Sequence, residues 1–87
     1  SSVNFPEVAL PGHPDAHRLL HVHANVPGIL SAINKIFSDN QINIASQYLQ
    51  TNDKVGYVVV DINGEYSETA LEQLKAISGT IRCRVLF

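Results

Sequence analysis

Residues 18–37 read RLLHVHANVPGILSAINKIF, and the spacing of their apolar side chains changes at the proline. Before the proline, every second position is apolar, as in a β-strand with two different faces. After it, apolar residues recur at the three- and four-residue spacing of a helix with one buried stripe. Proline is favoured at the first helical position because its missing N–H has no partner there. The stretch therefore predicts a strand over residues 18–24, followed by an amphipathic helix that Pro27 and Gly28 open.

The rest of the chain repeats these two patterns. Residues 42–50 and 55–62 predict two strands, joined by the polar turn Asn52-Asp53-Lys54. In the first of them, simple alternation places three larger residues on one face: Ile42, Ile44 and Tyr48. Its other face is expected to carry Asn43, Ala45 and Gln47. A second helix is predicted after Ser67, a favoured N-cap residue. In a last strand, four residues are expected to face inward: Ile81, Cys83, Val85 and Phe87.

The predicted elements run in the order β-α-β-β-α-β. Each helix carries a single apolar stripe, so both are expected on one face of a four-stranded antiparallel sheet. With right-handed crossovers, this order gives an α+β, ferredoxin-like sandwich. Its edge strands stay uncovered, and pairing with a second copy is the simplest way to cover one. Charged residues make up only 16% of the chain, against about 25% in typical domains, which also suggests a covered surface.

The length of 87 residues accommodates one domain. Three of the four prolines stand in residues 1–16, where they favour extended, irregular backbone. We therefore predict an extended linker or N-terminal arm over residues 1–16 and a folded domain over residues 17–87. The chain lacks methionine and begins at Ser1, which suggests that it is a piece of a longer protein.

Charge and hydropathy argue against several classes of partner. A formal net charge of −2 does not suit a phosphate backbone. A ferredoxin-like RNA-binding domain would also carry an aromatic-rich strand motif, which this chain lacks, so we expect no nucleic acid. No apolar run approaches the ~20 residues of a membrane-spanning helix, so no membrane is expected. The single cysteine, Cys83, cannot form an internal disulfide, and this suits a cytoplasmic protein.

The four histidines, His13, His17, His21 and His23, raise the question of a metal site. A structural zinc site needs four ligands, usually with cysteines among them, and the chain has only Cys83. The simpler interpretation is that His21 and His23 are polar side chains on an exposed strand face, and no metal is expected. The sequence also lacks paired carboxylates, a phosphate-binding glycine loop and a nucleophile with its base. We therefore predict no catalytic residue and no cofactor in this chain.

A better candidate for a ligand site is the junction between the first strand and the first helix. Free N–H groups and a partial positive charge at a helix N-terminus favour a carboxylate. Gly28 lets a ligand approach the backbone closely, while His23 and Asn25 flank the spot with a ring and an amide. These groups suit an amino-acid zwitterion. The same residues also fit an ordinary turn into a helix, so their chemistry alone leaves both interpretations open.

In a chain of this topology, the junction Asn25-Val26-Pro27-Gly28 resembles a turn of the ACT domain. That domain is a small-molecule-sensing module that usually carries Asp/Asn-x-Pro-Gly there. Longer segments narrow the resemblance to the C-terminal regulatory domains of bacterial D-3-phosphoglycerate dehydrogenases. These segments are NFPEV (residues 4–8), HVHANVPG (21–28), NIASQYLQ (43–50), GYVV (56–59) and GTIR (79–82). The resemblance covers essentially the whole chain.

This resemblance implies a ligand, a site and a parent enzyme. The family's enzymes catalyse the NAD-dependent first committed step of L-serine synthesis and are inhibited by serine. The implied site consists of His23, Asn25, Pro27 and Gly28 from one subunit and Asn43 with Ile44 from its neighbour. Two domains are expected to join edge to edge into an eight-stranded sheet, with L-serine at the seam. NAD would then belong to the catalytic domains of the parent chain, outside this fragment.

The resemblance thus implies a non-catalytic, L-serine-binding regulatory domain that gives feedback inhibition of serine biosynthesis. The alternative is an ACT oligomerisation module of another amino-acid enzyme, with a different ligand or none. The polar tips of His23 and Asn25 argue against a pocket built for a branched or aromatic side chain. In the leading interpretation, serine fixes the arrangement of two domains, and the linker over residues 1–16 restrains the catalytic domains.

Overall fold

A computed structural model describes residues 16–25 and 27–87 of the chain, and within them the elements follow the predicted order. The elements are β1 (Ala16–Ala24), α1 (Ile29–Asp39), β2 (Asn43–Thr51), β3 (Val55–Asn63), α2 (Glu68–Ala76) and β4 (Thr80–Val85). The predicted linker lies outside the described residues except for Ala16, with which β1 begins, and it stays a prediction. Neither α1 nor α2 is long and apolar enough to cross a membrane.

The described strands form one antiparallel sheet in the order β2-β3-β1-β4. Both helices pack on the same face, where their apolar stripes meet the two central strands in the main core. The buried members of this core are Leu19, Ile29, Ile33, Phe37, Val58, Val60, Ile62 and Leu74. Burying side chains of this size stabilises the fold by roughly 1.5–3 kcal/mol each. The arrangement confirms the predicted ferredoxin-like sandwich and makes β2 and β4 its edges.

The alternation predicted for β2 is wrong beyond its first residues, because the strand contains a β-bulge. The register with β3 steps from Ile44 to Ser46, which leaves Ala45 as the extra residue. An extra residue reverses the faces that the following side chains occupy. Ile44 therefore packs against the main core, whereas Tyr48 packs on the opposite face of the sheet. Gln47, expected on the face opposite Ile44, instead donates from Nε2 to an α1 side chain at 2.7 Å.

The prediction for the last strand is half right. Cys83 and Val85 pack against the main core, as expected. Ile81 and Phe87 do not face inward, because their exposed fractions are 58% and 55%. The register with β1 skips Ile81, and Phe87 lies beyond the end of β4. The irregular pairing with β1 thus removes Ile81 from the predicted core, and the end of β4 at Val85 removes Phe87.

The sheet face opposite the helices carries a second apolar cluster and a buried ion pair. Val22, Tyr57 and Val59 form the buried part of this cluster. Beside it, Arg18 Nε donates to Asp61 Oδ1 at 2.6 Å, and Nη2 donates to Oδ2 at 2.8 Å. Asp61 is only 1% exposed, and this two-point contact helps to make its buried charge tolerable.

Candidate ligand site at the start of helix α1

The C-terminal half of β1 carries two histidines on the helix-covered face of the sheet. His21 and His23 are each only 3% exposed. The interpretation of both as polar side chains on an exposed strand face is therefore wrong. Alternation correctly groups the two rings, but it does not tell which face the helices cover, and polar residue type suggested the open one.

Hydrogen bonds connect these histidines to α2 and β4. His21 Nε2 lies 3.1 Å from the backbone oxygen of Leu74 in α2 and 2.9 Å from Oγ1 of Thr80 in β4. The Thr80 hydroxyl donates to the same Leu74 oxygen at 3.3 Å. On its other side, His21 Nδ1 lies 3.4 Å from Nδ1 of His23. A continuous chain of polar contacts thus runs from His23 to the end of α2.

Burial lowers the pKa of both histidines. For His21, the hydrogen bond to the Leu74 carbonyl opposes this effect, and the neighbouring His23 adds to it. For His23, a hydrogen bond to the backbone of His21 opposes the effect of burial. Because the ordinary histidine pKa is about 6.5, a lowered pKa keeps both rings neutral at pH 7. They offer hydrogen bonds to a ligand at that pH, but no charge.

The ring of His23 crosses β3 above Gly56. A Cβ at that position would lie 2.7 Å from His23 Nε2 and 3.0 Å from Cγ2 of Thr51 in β2. Any residue other than glycine at position 56 would force the His23 ring to move. Because Gly56 has no side chain, the ring can extend from β1 across β3 toward the edge strand β2. The sequence prediction missed Gly56. A lone glycine inside a strand of β-branched residues is a known sign of such a close approach.

Asn25 follows β1 and is tied to the β2–β3 hairpin. Its Nδ2 donates to the backbone oxygen of Asn52 at 2.8 Å, and its backbone N–H donates to the oxygen of Lys54 at 3.0 Å. Asn52 Oδ1 in turn accepts from the backbone N–H groups of Lys54 and Val55, which orders the turn. Because its Nδ2 side is engaged, Asn25, which is exposed, has its Oδ1 left to accept from a ligand.

Helix α1 begins later than predicted. Pro27 was expected at the first helical position, but the helix begins at Ile29 and Gly28 is its N-cap. The φ angle of Gly28 is 88°, a left-handed value that cannot belong to the helix itself and that glycine adopts readily. Gly28 offers no capping side chain, and the first turn contains no acidic residue. Within the described residues, the N–H groups of this turn are open to an anion.

The other two predicted site residues lie at the far end of the sheet. Asn43 pairs with Asn63 of β3, whereas His23 pairs with Gly56 of the same strand. These two β3 positions are separated by about 24 Å, at ~3.4 Å per residue. Ile44 packs against the main core, and Asn43, its neighbour, lies exposed on the opposite face. One copy of the chain therefore brings together only His23, Asn25, Pro27 and Gly28.

Neither metal ligands nor a reactive thiol stand out in the described part of the chain. Within residues 16–25 and 27–87, no group of three His, Cys, Asp or Glu side chains could hold a metal ion. His17 lies near the other end of β1, where its ring packs edge-on against Tyr66 with centroids 5.1 Å apart. His13 falls outside the described residues. Burial raises the pKa of the Cys83 thiol, which disfavours the nucleophilic thiolate.

Comparisons with known proteins identify a matching family model and similar enzymes. The sequence model described as "AHAS small subunit-like ACT domain" matches residues 19–82. The chain is 58% identical over 87 residues to a D-3-phosphoglycerate dehydrogenase of Haemophilus influenzae, covering 100% of the chain and 21% of that protein. It is 55% identical over 89 residues to the Escherichia coli K12 enzyme of the same name, covering 100% of the chain and 22% of that protein. The chain thus spans about a fifth of the length of these curated relatives and corresponds to their C-terminal region.

A solved structure shows the same fold. The ACT domain from GTP pyrophosphokinase of Chlorobium tepidum matches with a TM-score of 0.71 at 18% identity, over 82% of this chain and 96% of that one. At so low an identity the likeness concerns the fold alone. It agrees with the strand order and the one-sided helix layer described above.

Proposed function

Because the chain belongs to the ACT-domain family, we propose that it is the serine-binding regulatory domain of a D-3-phosphoglycerate dehydrogenase. Identity to such enzymes of 58% and 55% along the whole chain supports the proposal. In it, L-serine binds where two copies of the domain join, and binding inhibits the NAD-dependent enzyme that begins serine synthesis. NAD and the catalytic domains belong to the part of a cytoplasmic parent protein that lies outside this chain.

The observation that carries the proposal is the separation of the two halves of the predicted site. Edge strand β2 runs from Asn43 to Thr51 and has Gln47 at its middle. If two copies pair their β2 strands antiparallel about Gln47, the Asn43 end of one strand lies beside the Thr51 end of the other. Thr51 pairs with Gly56, and Gly56 pairs with His23. Such pairing brings the end of the sheet that carries Asn43 in one copy to the end that carries His23 in the other, once for each copy.

The near half of the site suits an amino-acid zwitterion. The uncapped start of α1 provides N–H donors for a carboxylate. Asn25 Oδ1 and the neutral His23 ring provide polar partners for the rest of a small ligand. Apart from its two chain neighbours, a Cβ built on Gly28 would meet no described atom within 4 Å, so there is room for a ligand beside the helix start. These features favour a compact polar ligand such as L-serine.

Bridging two copies couples ligand binding to assembly. Because each site draws on both copies, serine strengthens the dimer and the dimer strengthens serine binding by the same factor. A fixed arrangement of two regulatory domains then restrains the catalytic domains through residues 1–16, whose proline content favours a stiff linker. This is how occupation of the seam is expected to inhibit the parent enzyme.

The sharpest test is complementation between two variants. Asn25→Ala and Asn43→Ala remove a polar group from opposite halves of the site, so each is expected to weaken L-serine binding about tenfold to a hundredfold in calorimetry. A co-expressed mixture contains heterodimers in which one site is intact and the other lacks both asparagines. The mixture should therefore recover wild-type affinity at about a quarter of the wild-type sites, as random pairing into two-fold dimers requires.

Asn63→Ala is the matched control, because Asn63 is also exposed and stands beside Asn43 in the register. It should leave serine binding unchanged. Absence of recovery in the mixture would contradict a site shared between copies. A wild-type dimer that binds no L-serine would instead favour the oligomerisation module with a different ligand or none.

A further inference from the structure

The hydrogen bonds of His21 determine which of its ring nitrogens carries the proton. Nε2 lies 3.1 Å from the backbone oxygen of Leu74, and a carbonyl oxygen only accepts, so Nε2 carries the hydrogen. Thr80 fits this assignment, because its Oγ1 lies 2.9 Å from Nε2 and its own hydroxyl donates to Leu74. A neutral imidazole has one N–H, which leaves Nδ1 of His21 as an acceptor.

The position of the hydrogen on His21 determines its position on the neighbouring ring of His23. The two Nδ1 atoms are 3.4 Å apart, and since that of His21 has only a lone pair, that of His23 must donate. His23 is buried and neutral as well, so it has a single ring hydrogen, which this contact places on Nδ1. Its Nε2 is then a bare acceptor.

Nε2 of His23 is also the atom that reaches toward the proposed seam. It lies above Gly56, where a Cβ would come within 2.7 Å of it, on the side of Thr51 and β2. Within residues 16–25 and 27–87, the polar contacts of the His23 ring are with its neighbour His21. A ligand at the seam therefore meets a lone pair.

We propose that His21 and Gly56 are positioning residues for the ligand contact of His23. His21 fixes the tautomer, and Gly56 makes room for the ring. The ligand group that meets His23 is then a hydrogen-bond donor, the hydroxyl or the ammonium of L-serine, and the carboxylate is left to the start of α1. The identity of the ligand rests on the proposed function, whereas the tautomer is a property of the free chain.

The first experiment needs no ligand. Long-range proton–nitrogen NMR spectra of the ¹⁵N-labelled chain at pH 7.5 report which ring nitrogen is protonated in each histidine. We expect the hydrogen on Nε2 of His21 and on Nδ1 of His23. A hydrogen on Nε2 of His23 would overturn the inference, whatever the chain binds.

The second experiment compares two substitutions of His21. His21→Gln keeps an N–H to donate to Leu74 and an oxygen to accept from His23, at a similar spacing. His21→Phe keeps a ring but loses both. The Gln variant should bind L-serine within about threefold of wild type, and the Phe variant should lose about tenfold and show a mixture of His23 tautomers. Equal losses in two folded variants would contradict the relay; if the Phe variant does not fold, the spectra of the wild type decide.

The third experiment identifies the ligand's donor group. O-methyl-L-serine keeps the ammonium but has no hydroxyl hydrogen, so it binds weakly if His23 accepts from the hydroxyl and comparably to L-serine if it accepts from the ammonium. In both cases saturation with L-serine should shift the His23 Nε2 resonance, and an unchanged resonance would sink the assignment. If L-serine does not bind at any concentration, the proposed function fails while the tautomer result stands.

Discussion

The two helices of the domain begin in opposite ways. Helix α2 is preceded by Ser67, whose Oγ accepts from the backbone N–H of Ala70 at 3.0 Å, and it has Glu68 in its first turn. Helix α1 is preceded by Gly28, which has no side chain to cap the helix, and it has no acidic residue in its first turn. The helices are of similar length, 9 and 11 residues, so both leave the same kind of unpaired N–H groups at their starts.

The difference shows which helix start has backbone N–H groups that remain available to bind a ligand. A side-chain cap typically contributes about 1 kcal/mol, and an acidic residue in the first turn adds roughly 0.3–1 kcal/mol. The start of α2 has both contributions, and the start of α1 has neither from the described residues. The uncapped start is also the one that adjoins His23 and Asn25. A bound carboxylate would supply there what Ser67 and Glu68 supply to α2.

The largest effect is expected from giving α1 the acidic start that α2 already has. Gly28→Asp places a carboxylate where, apart from the two chain neighbours, no described atom lies within 4 Å of the added Cβ. This group satisfies the free N–H donors and repels the ligand's carboxylate, so L-serine affinity should fall about a hundredfold or more in calorimetry. Aspartate tolerates the left-handed backbone better than most residues, so the fold should persist.

Gly28→Asn is the matched control for this substitution. It imposes the same backbone conformation and nearly the same volume without the charge. Serine affinity in this variant should fall by about tenfold at most. Equal losses in the Asp and Asn variants would mean that the start of α1 is blocked sterically and does not bind a carboxylate.

The sequence was sufficient for the parts of the fold that depend on periodicity. The change from alternating to helical spacing at Pro27 located β1 and α1, and single apolar stripes placed both helices on one face. The cap at Ser67 was also predicted correctly. These features succeed because each is encoded in side chains within a few residues of one another.

The sequence did not reveal features set by the backbone or by distant elements. The extra residue Ala45 leaves a regular pattern on either side of the bulge, so nothing local shows that Tyr48 changes face. The polarity of His21 suggested an exposed side chain. Its ring is instead buried against hydrogen-bond partners in α2 and β4, which lie far away in the chain. The site itself was predicted only by resemblance, since its halves lie at opposite ends of one sheet.

A smaller effect is expected from lowering the pH, and it should act through the buried pair His21 and His23. Burial lowers the pKa of His21 and His23, so the unfolded chain binds protons that the folded chain excludes. Their contribution to stability is complete above the unfolded pKa of about 6.5 and is lost as the pH falls below it, at up to ~1.4 kcal/mol per pH unit for each ring. Serine affinity should fall at still lower pH, as His23 of the folded chain becomes protonated below its lowered pKa, because protonation puts a hydrogen on His23 Nε2.

Urea denaturation at pH 7.5 and pH 5.5 measures this dependence, and calorimetry at the same pH values measures binding. His21→Gln removes one of the two titrating rings and should reduce the change in the free energy of unfolding. Stability that stays constant between these pH values would contradict a buried, neutral pair of histidines.

The smallest effect is expected from removing the cap of α2. Ser67→Ala deletes the oxygen that accepts from Ala70 and should lower the free energy of unfolding by about 1 kcal/mol, or the melting temperature by ~4–8 °C. Ser67→Asp, which keeps an accepting oxygen, should retain most of the stability. Serine affinity should be the same in both variants, because the cap of α2 takes no part in the proposed site. If Ser67→Ala weakened serine binding as much as Gly28→Asp does, helix stability rather than an open anion site would explain both results, and the contrast between the two helix starts would lose its functional meaning.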